Sequence, residues 1–154
     1  MNDEIKALME QFKEWIPFVQ SLRGISEKAW DASLEPGKWC VKDIVSHIMM
    51  WDKYFYEEAI TKIASDQTVA LELSNFEDFN RQAASYGKTL TTDELLDQAI
   101  EYREKIAATI ENLPDSALAK DYPGTDGNAF QFSSYLKDFI WHDQHHMAQI
   151  KELV

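Results

Sequence analysis

The sequence holds a single cysteine, Cys40, among 154 residues. No disulfide can form within the chain, and no thiolate-rich zinc site can be assembled. This cysteine usage fits a reducing cytosol. Cationic residues are also scarce: 15 Lys and Arg stand against 27 Asp and Glu, for a formal net charge of -12 at pH 7. Binding nucleic acid through its phosphates takes clustered Lys and Arg, so nucleic acid is not an expected partner. An anionic membrane surface is disfavoured for the same reason. An acidic balance of this kind either keeps a cytosolic protein soluble or presents a surface to a cationic partner. No apolar run is long enough to span a bilayer. The opening stretch MNDEIKALMEQFKEW lacks the basic start and apolar centre of a signal peptide. Repeats and low-complexity tracts are missing as well. These absences point to a cytoplasmic protein with one domain over residues 1–154. Its 45% of hydrophobic residues suffices for a buried core.

What is present is helical periodicity. Ile5, Leu8, Met9, Phe12, Trp15, Ile16, Val19 and Leu22 form one apolar stripe, which predicts a first helix from about Asp3 to Leu22. Pro17 should kink it, and Gly24 should stop it. One helical turn is expected over Ser26 to Ala32, followed by a loop at LEPGKW. A second helix is expected from Val41 to Ile63. A connector of about 25 residues follows, with a short helix from about Ser74 to Ser85, and connectors this long are often functional. Thr91 and Glu94 fit a capping box that opens a third helix, which Pro114 ends after Leu113. KDYPGTDGNAF reads as a loop. A fourth helix runs from Phe132 to Leu153. Four amphipathic helices predict an all-α four-helix bundle, and its long connectors permit a crossover.

Three of the four histidines fall within the last helix, in WHDQHHMAQI. On a wheel of about 100° per residue, His146 lies near the middle of the buried arc and His142 on its flank. His145 points away. His142 and His146 are spaced i, i+4 and share one face. They are either core histidines satisfied by hydrogen bonds or a pair of metal ligands. His47, at the edge of the apolar arc of the second helix, can join them across facing helices. A three-histidine site would leave coordination positions open, as catalytic sites do. Glu-x-x-His and H-E-x-x-H are both missing, so neither a di-iron carboxylate bundle nor a zincin protease is indicated.

KWCVKDIVSHIMMWD and WHDQHHMAQI together resemble the second-helix and last-helix signatures of the DinB/YfiT-like superfamily. In the first, a tryptophan, a small polar cap and an apolar stretch precede a ligand histidine. In the second, two histidines four apart precede a small residue, a glutamine and an aliphatic. The resemblance implies an up-up-down-down bundle, a divalent metal (zinc or nickel) on His47, His142 and His146, and a homodimer. It also implies chemistry on small molecules: thiol S-transfer with a low-molecular-weight thiol, thiol-dependent isomerisation or hydrolysis. Cys40 departs from the pattern, which more often has serine or threonine there.

Around these histidines, Cys40 is expected as a cap of the second helix. Its thiol is either a packing group or a reactive one favoured by the helix N-terminus. Asp143 falls in the buried arc of the last helix, where it either orients a ligand histidine or pairs with a cation from another helix. Trp51 is expected in the core. Tyr54 and Glu58 share the flank of His47 and are candidates to handle protons, as is Asp143. Asn80 and Tyr86, in the long connector, are candidates to touch substrate. Two functions compete: a metal-dependent transferase or hydrolase acting on a small electrophile, and a non-catalytic binding or dimeric interaction module whose metal is structural or missing.

Overall fold

The first apolar stripe closes as two consecutive helices, α1 (Asp3–Lys13) and α2 (Trp15–Gln20), interrupted at Glu14. Pro17 has no N–H to donate to the Lys13 carbonyl, and the interruption falls where that bond is lost. The computed structural model describes residues 1–72, 75–125 and 127–154. Ser26 caps the short α3 (Glu27–Trp30), accepting from the Ala29 N–H at 3.1 Å. The expected second helix is α4 (Val41–Phe55), continued through a π-helical turn (Tyr56–Ile60) into α5 (Thr61–Ala64). Asn75 caps α6 (Phe76–Lys88), accepting from Asp78 N–H at 2.9 Å. The expected start of that helix at Ser74 lies outside the described residues. Thr91 and Glu94 form the expected box on α7 (Thr92–Asn112), each accepting from the other's backbone N–H at 3.1 and 3.0 Å.

After α7 the chain departs from the expected loop. Asp115–Leu118 form one turn, α8, and β1 (Tyr122–Pro123) pairs antiparallel with β2 (Ala129–Phe130). The turn formers there close a small ribbon because Phe130 is drawn into the core at 5% exposure. The last helix, α9 (Phe132–Leu153), has the expected limits.

Side-chain contacts fix the helix directions. Lys13 pairs with Glu111, and Arg23 with Asp93 and Asp97, so α1 and α2 run antiparallel to α7. Glu4 meets Ser133 and Lys137, while Lys151 lies over the Phe18 ring, so α1 and α2 run parallel to α9. Lys42 reaches the Leu90 carbonyl and Asp52 reaches Arg103, so α4 and α7 are parallel. His47 meets His142 and Phe55 meets Phe139, so α4 and α9 are antiparallel. The order is therefore up-down-down-up, which corrects the up-up-down-down order implied by the resemblance. The reason is α6. It runs back along α4, with Phe76 beside Trp51 and Gly87 against Ser46, and returns the chain to the start of α4 before α7 begins. The approach at Gly87 is close: an added Cβ would sit 1.8 Å from Ser46 Oγ.

The buried apolar side chains form two clusters. One centres on Phe12, Ile60, Ile106, Phe132 and Leu136. The other centres on Trp15, Val45, Ile48, Leu96 and Ile150. A charged layer lies between them. Arg103 of α7, wholly buried, donates from Nε and Nη2 to Asp52 at 2.9 and 3.2 Å. From Nη1 and Nη2 it donates to Asp143 at 2.7 and 3.1 Å, and Nη1 also donates to the Phe12 carbonyl at 2.9 Å. All five guanidinium N–H groups are thus used, and the guanidinium lies 4.1 Å from the Phe12 ring centroid. This layer ties four helices together one turn from the histidines. Among the described residues, no helix is long and apolar enough to cross a membrane.

Candidate metal centre

The antiparallel packing of α4 on α9 brings His47 to the one-turn pair His142 and His146. His142 Nε2 lies 2.9 Å from His47 Nε2 and 3.2 Å from His146 Nε2. The three ligand atoms all fall within 4.8 Å of one another. His47 and His146 are 5% and 8% exposed, and His142 is half-buried.

Their neighbours decide which ring nitrogens carry protons. Trp51 Nε1–H donates to Asn80 Oδ1 at 2.9 Å, and an indole can only donate, so the Asn80 atom there is an acceptor. His47 Nδ1 meets the same oxygen at 2.9 Å and must donate to it. His47 Nε2 therefore presents a lone pair. Likewise His146 Nδ1 donates to Gln149 Oε1 at 2.7 Å, leaving a lone pair on Nε2. Both lone pairs face His142 Nε2, which has at most one proton to share between them when neutral. His142 Nδ1 is buried with no hydrogen-bond partner among the described residues. By themselves the three rings cannot all be satisfied, and an unmatched buried polar group costs about 1–3 kcal/mol. A cation that accepts three nitrogen lone pairs removes the conflict, so the donor set fits a divalent ion.

Burial keeps the rings neutral. His47 is lowered to about 3 by burial and then by the neighbouring His142 and His146. His142 is lowered to about 4, again chiefly by burial, and burial also lowers His146. Neutral imidazole is the metal-binding form. The remaining His145 is exposed and stacks on Trp141 at 5.4 Å, as its place on the wheel predicts.

A cavity of about 510 Å³ opens on this cluster, lined at its base by His47, His142 and Asn80. Trp51, Phe55 and Phe139 form its walls. Trp51, expected in the core, is 9% exposed and serves both as wall and as the donor that orients Asn80. Asn80 therefore stands at the site as the partner of His47 Nδ1. Tyr86 does not: it is exposed, and its hydroxyl donates to Gln98 at 3.0 Å.

The proton-handling candidates lie elsewhere. Tyr54 and Glu58 line a separate groove with Lys53 and Phe79. The Tyr54 hydroxyl accepts from the Glu72 N–H at 3.0 Å. Asp143 takes the second of its two expected arrangements, with both carboxylate oxygens accepting from Arg103. Burial raises the Asp143 carboxyl pKa, and Arg103 opposes that shift. Cys40 caps α4, its N–H donating to Asp43 Oδ2 at 3.1 Å, and burial pushes its thiol up rather than toward thiolate.

Four neighbours were not singled out from the sequence. Gln149 lies within the quoted last-helix signature, three residues after the histidine it orients. Trp39 packs against His47 with ring centroids 4.7 Å apart, and it lies within the other quoted signature. Asp138, on the cavity lining, lies four residues before His142 and so on the same helical face. Arg103 falls at helical spacing among Ile100, Ile106 and Ala107, a charge on an inward stripe.

A family model described as DinB superfamily matches residues 5–150. The chain belongs to the DinB superfamily. This DinB chain is 28% identical over 129 residues to a Bacillus licheniformis protein named "Putative metal-dependent hydrolase", covering 82% of this chain and 71% of that one. Its fold is similar to YfiT from Bacillus subtilis, described as a probable metal-dependent hydrolase with an unusual four-helix bundle topology. The TM-score is 0.76 at 18% identity, over 99% of this chain and 87% of YfiT. It is similar also to the mycothiol-dependent maleylpyruvate isomerase, with a TM-score of 0.75 at 12% identity, over 97% of this chain and 63% of the isomerase. At such identities these two structures share the fold.

Proposed function

We propose that this DinB protein is a metal-dependent hydrolase of a small electrophilic molecule in the cytoplasm, with His47, His142 and His146 holding one divalent ion, zinc or nickel. The observation that carries the reading is the convergence of three Nε2 atoms, two of them fixed as lone pairs by Asn80 and Gln149, with His47 and His142 also lining a cavity. The name of the Bacillus licheniformis relative points to the same chemistry. A divalent ion held there supplies Lewis acidity, polarising a carbonyl and making water more acidic.

The chain's own residues do the rest. Three neutral ligands add no negative charge, so the ion keeps its full charge. Asn80 and Gln149 hold two ligand rings in one tautomer and orientation, as outer partners of metal-binding histidines do. The aromatic walls exclude bulk water from the base of the cavity, which strengthens electrostatic interactions there. In the overall hydrolysis, water gives its oxygen to the electrophilic carbon, the bond to the leaving group breaks, and the protons pass to that group and to solvent.

A second reading is thiol transfer, in which a low-molecular-weight thiol takes the place of water. It is favoured by the mycothiol dependence of the structurally similar isomerase. The test is a turnover screen of small esters, amides and epoxides on metal-loaded protein, with and without added thiol, beside chelated protein. Metal-dependent turnover by water supports hydrolysis, turnover only with thiol supports transfer, and a metal retained with no turnover of either kind refutes both.

A further inference from the structure

The cavity beside the histidines has an unusual mouth. Phe76 and Trp141 line it while 61% and 67% exposed, a large share of ring surface left to water. Side chains of this kind around a concave, apolar site mark a place where another molecule is held. The charge of the lining has one sign. Asp138 is its carboxylate, and none of its lining residues is Lys or Arg. Asp138 is exposed and has no ion pair among the described residues. It stands one helical turn before His142 on α9, on the solvent-exposed part of the lining. Aromatic faces attract cations and not anions. The whole chain, at a net charge of -12, reinforces that preference.

We propose that the cavity takes an organic ammonium compound with an aromatic body, its flat part against Trp51, Phe55 and Phe139 and its ammonium group at the mouth beside Asp138, Phe76 and Trp141. This inference rests on the reading of the cavity as the substrate site of the histidine centre. It fixes the substrate's polarity along the cavity. A divalent ion at the base repels the ammonium end, and Asp138 attracts it, so the uncharged electrophilic end points toward the histidines. In the metal-free protein, anionic compounds of the same size meet the Asp138 carboxylate and no Lys or Arg in the lining.

The test compares two probes of equal size and opposite charge, 2-phenylethylammonium and phenylacetate. Both are titrated at pH 7 and low salt into the metal-free 154-residue chain, with binding read by tryptophan fluorescence and calorimetry. Leaving out metal removes direct ligation of the acetate as an explanation. The ammonium compound is expected to bind about tenfold more tightly than phenylacetate, from cation–aromatic and carboxylate contacts together. Asp138→Asn should cut its binding several-fold and leave phenylacetate unweakened. Trp141→Ala should weaken the ammonium compound also, with the fold of both variants checked by circular dichroism. Equal or tighter binding of phenylacetate would overturn the proposal, as would no binding of either probe up to millimolar concentration. Metal content is measured separately on the same preparation after loading. Failure of the metal centre therefore shows as missing metal, and failure of this proposal shows as missing charge preference.

Discussion

Replacing Arg103 by Met tests the charged layer between the two core clusters. The substitution roughly preserves side-chain volume but removes five donated hydrogen bonds and, among the described residues, the only cation between Asp52 and Asp143. Removing one partner from a buried ion pair costs about 3–5 kcal/mol, because the remaining charge is left in the interior. Against a total stability of about 5–15 kcal/mol, that is a large fraction. For a chain of this size, a loss of 1 kcal/mol lowers Tm by about 2–4 °C, so a fall of about 6–20 °C is expected. The loss should depend on pH. Burial raises the Asp52 carboxyl to about 6 even with Arg103 beside it, and raises Asp143 as well. Without Arg103 both move further up, while unfolded carboxyls titrate near about 3.9. The folded variant then binds more protons than the unfolded chain above that pH, so its stability falls as pH rises through about 4 and beyond 6. The deficit relative to the native protein should therefore shrink between pH 7.5 and pH 5, measured as urea midpoints by circular dichroism. Combining Asp52→Leu, Arg103→Met and Asp143→Leu should recover much of the loss, since no charge stays buried. A deficit under about 1 kcal/mol at pH 7.5, or one that does not change with pH, would refute the reasoning.

Other perturbations reach the histidines directly. Asn80→Leu removes the acceptor that orients His47 and should weaken metal binding about 10–100-fold in a competition assay with a chelating dye, while Asn80→Asp keeps the acceptor and most of the affinity. Gly87→Ala places a methyl 1.8 Å from Ser46 Oγ and should cost about 1–3 kcal/mol as α6 is pushed off α4, with Ser46→Gly in the same chain restoring part of it. The metal-free protein should lose stability on acidification from about pH 6.5 toward pH 4, because His47 and His142 titrate at about 3 and about 4 when folded but near about 6.5 when unfolded. The unfolded chain binds more protons in that window, so stability rises with pH there, and His47→Asn should flatten the slope in urea titrations.

Helical periodicity made the four long helices legible, and for α9 the limits coincide with those expected, Phe132 and Leu153. The same period brought His142 and His146 to one face and turned His145 away. Direction was not legible, because it depends on the path of the connector. Nothing local in residues 64–91 says that α6 folds back along α4, whereas the contact of Gly87 with Ser46 says so at once. The π-helical turn at Tyr56–Ile60 was hidden for a similar reason: it shifts the register so that Ala59, Ile60 and Ile63 all reach the core, which only tertiary packing rewards. Arg103 was legible in principle, as a cation on an inward stripe facing an inward Asp143. Asn80 and Gln149 are ordinary polar residues until the structure shows which ring nitrogens they hold, and Asp138 carries no signal beyond its spacing from His142.

The most direct test of the central claim is metal content by elemental mass spectrometry on untagged native protein, beside a variant with His47, His142 and His146 all changed to Ala. One divalent ion per native chain, lost in a variant that keeps its helical circular dichroism, is the predicted result. Native protein that takes up neither zinc nor nickel after incubation and dialysis would contradict the account and leave the three histidines as a hydrogen-bonded cluster.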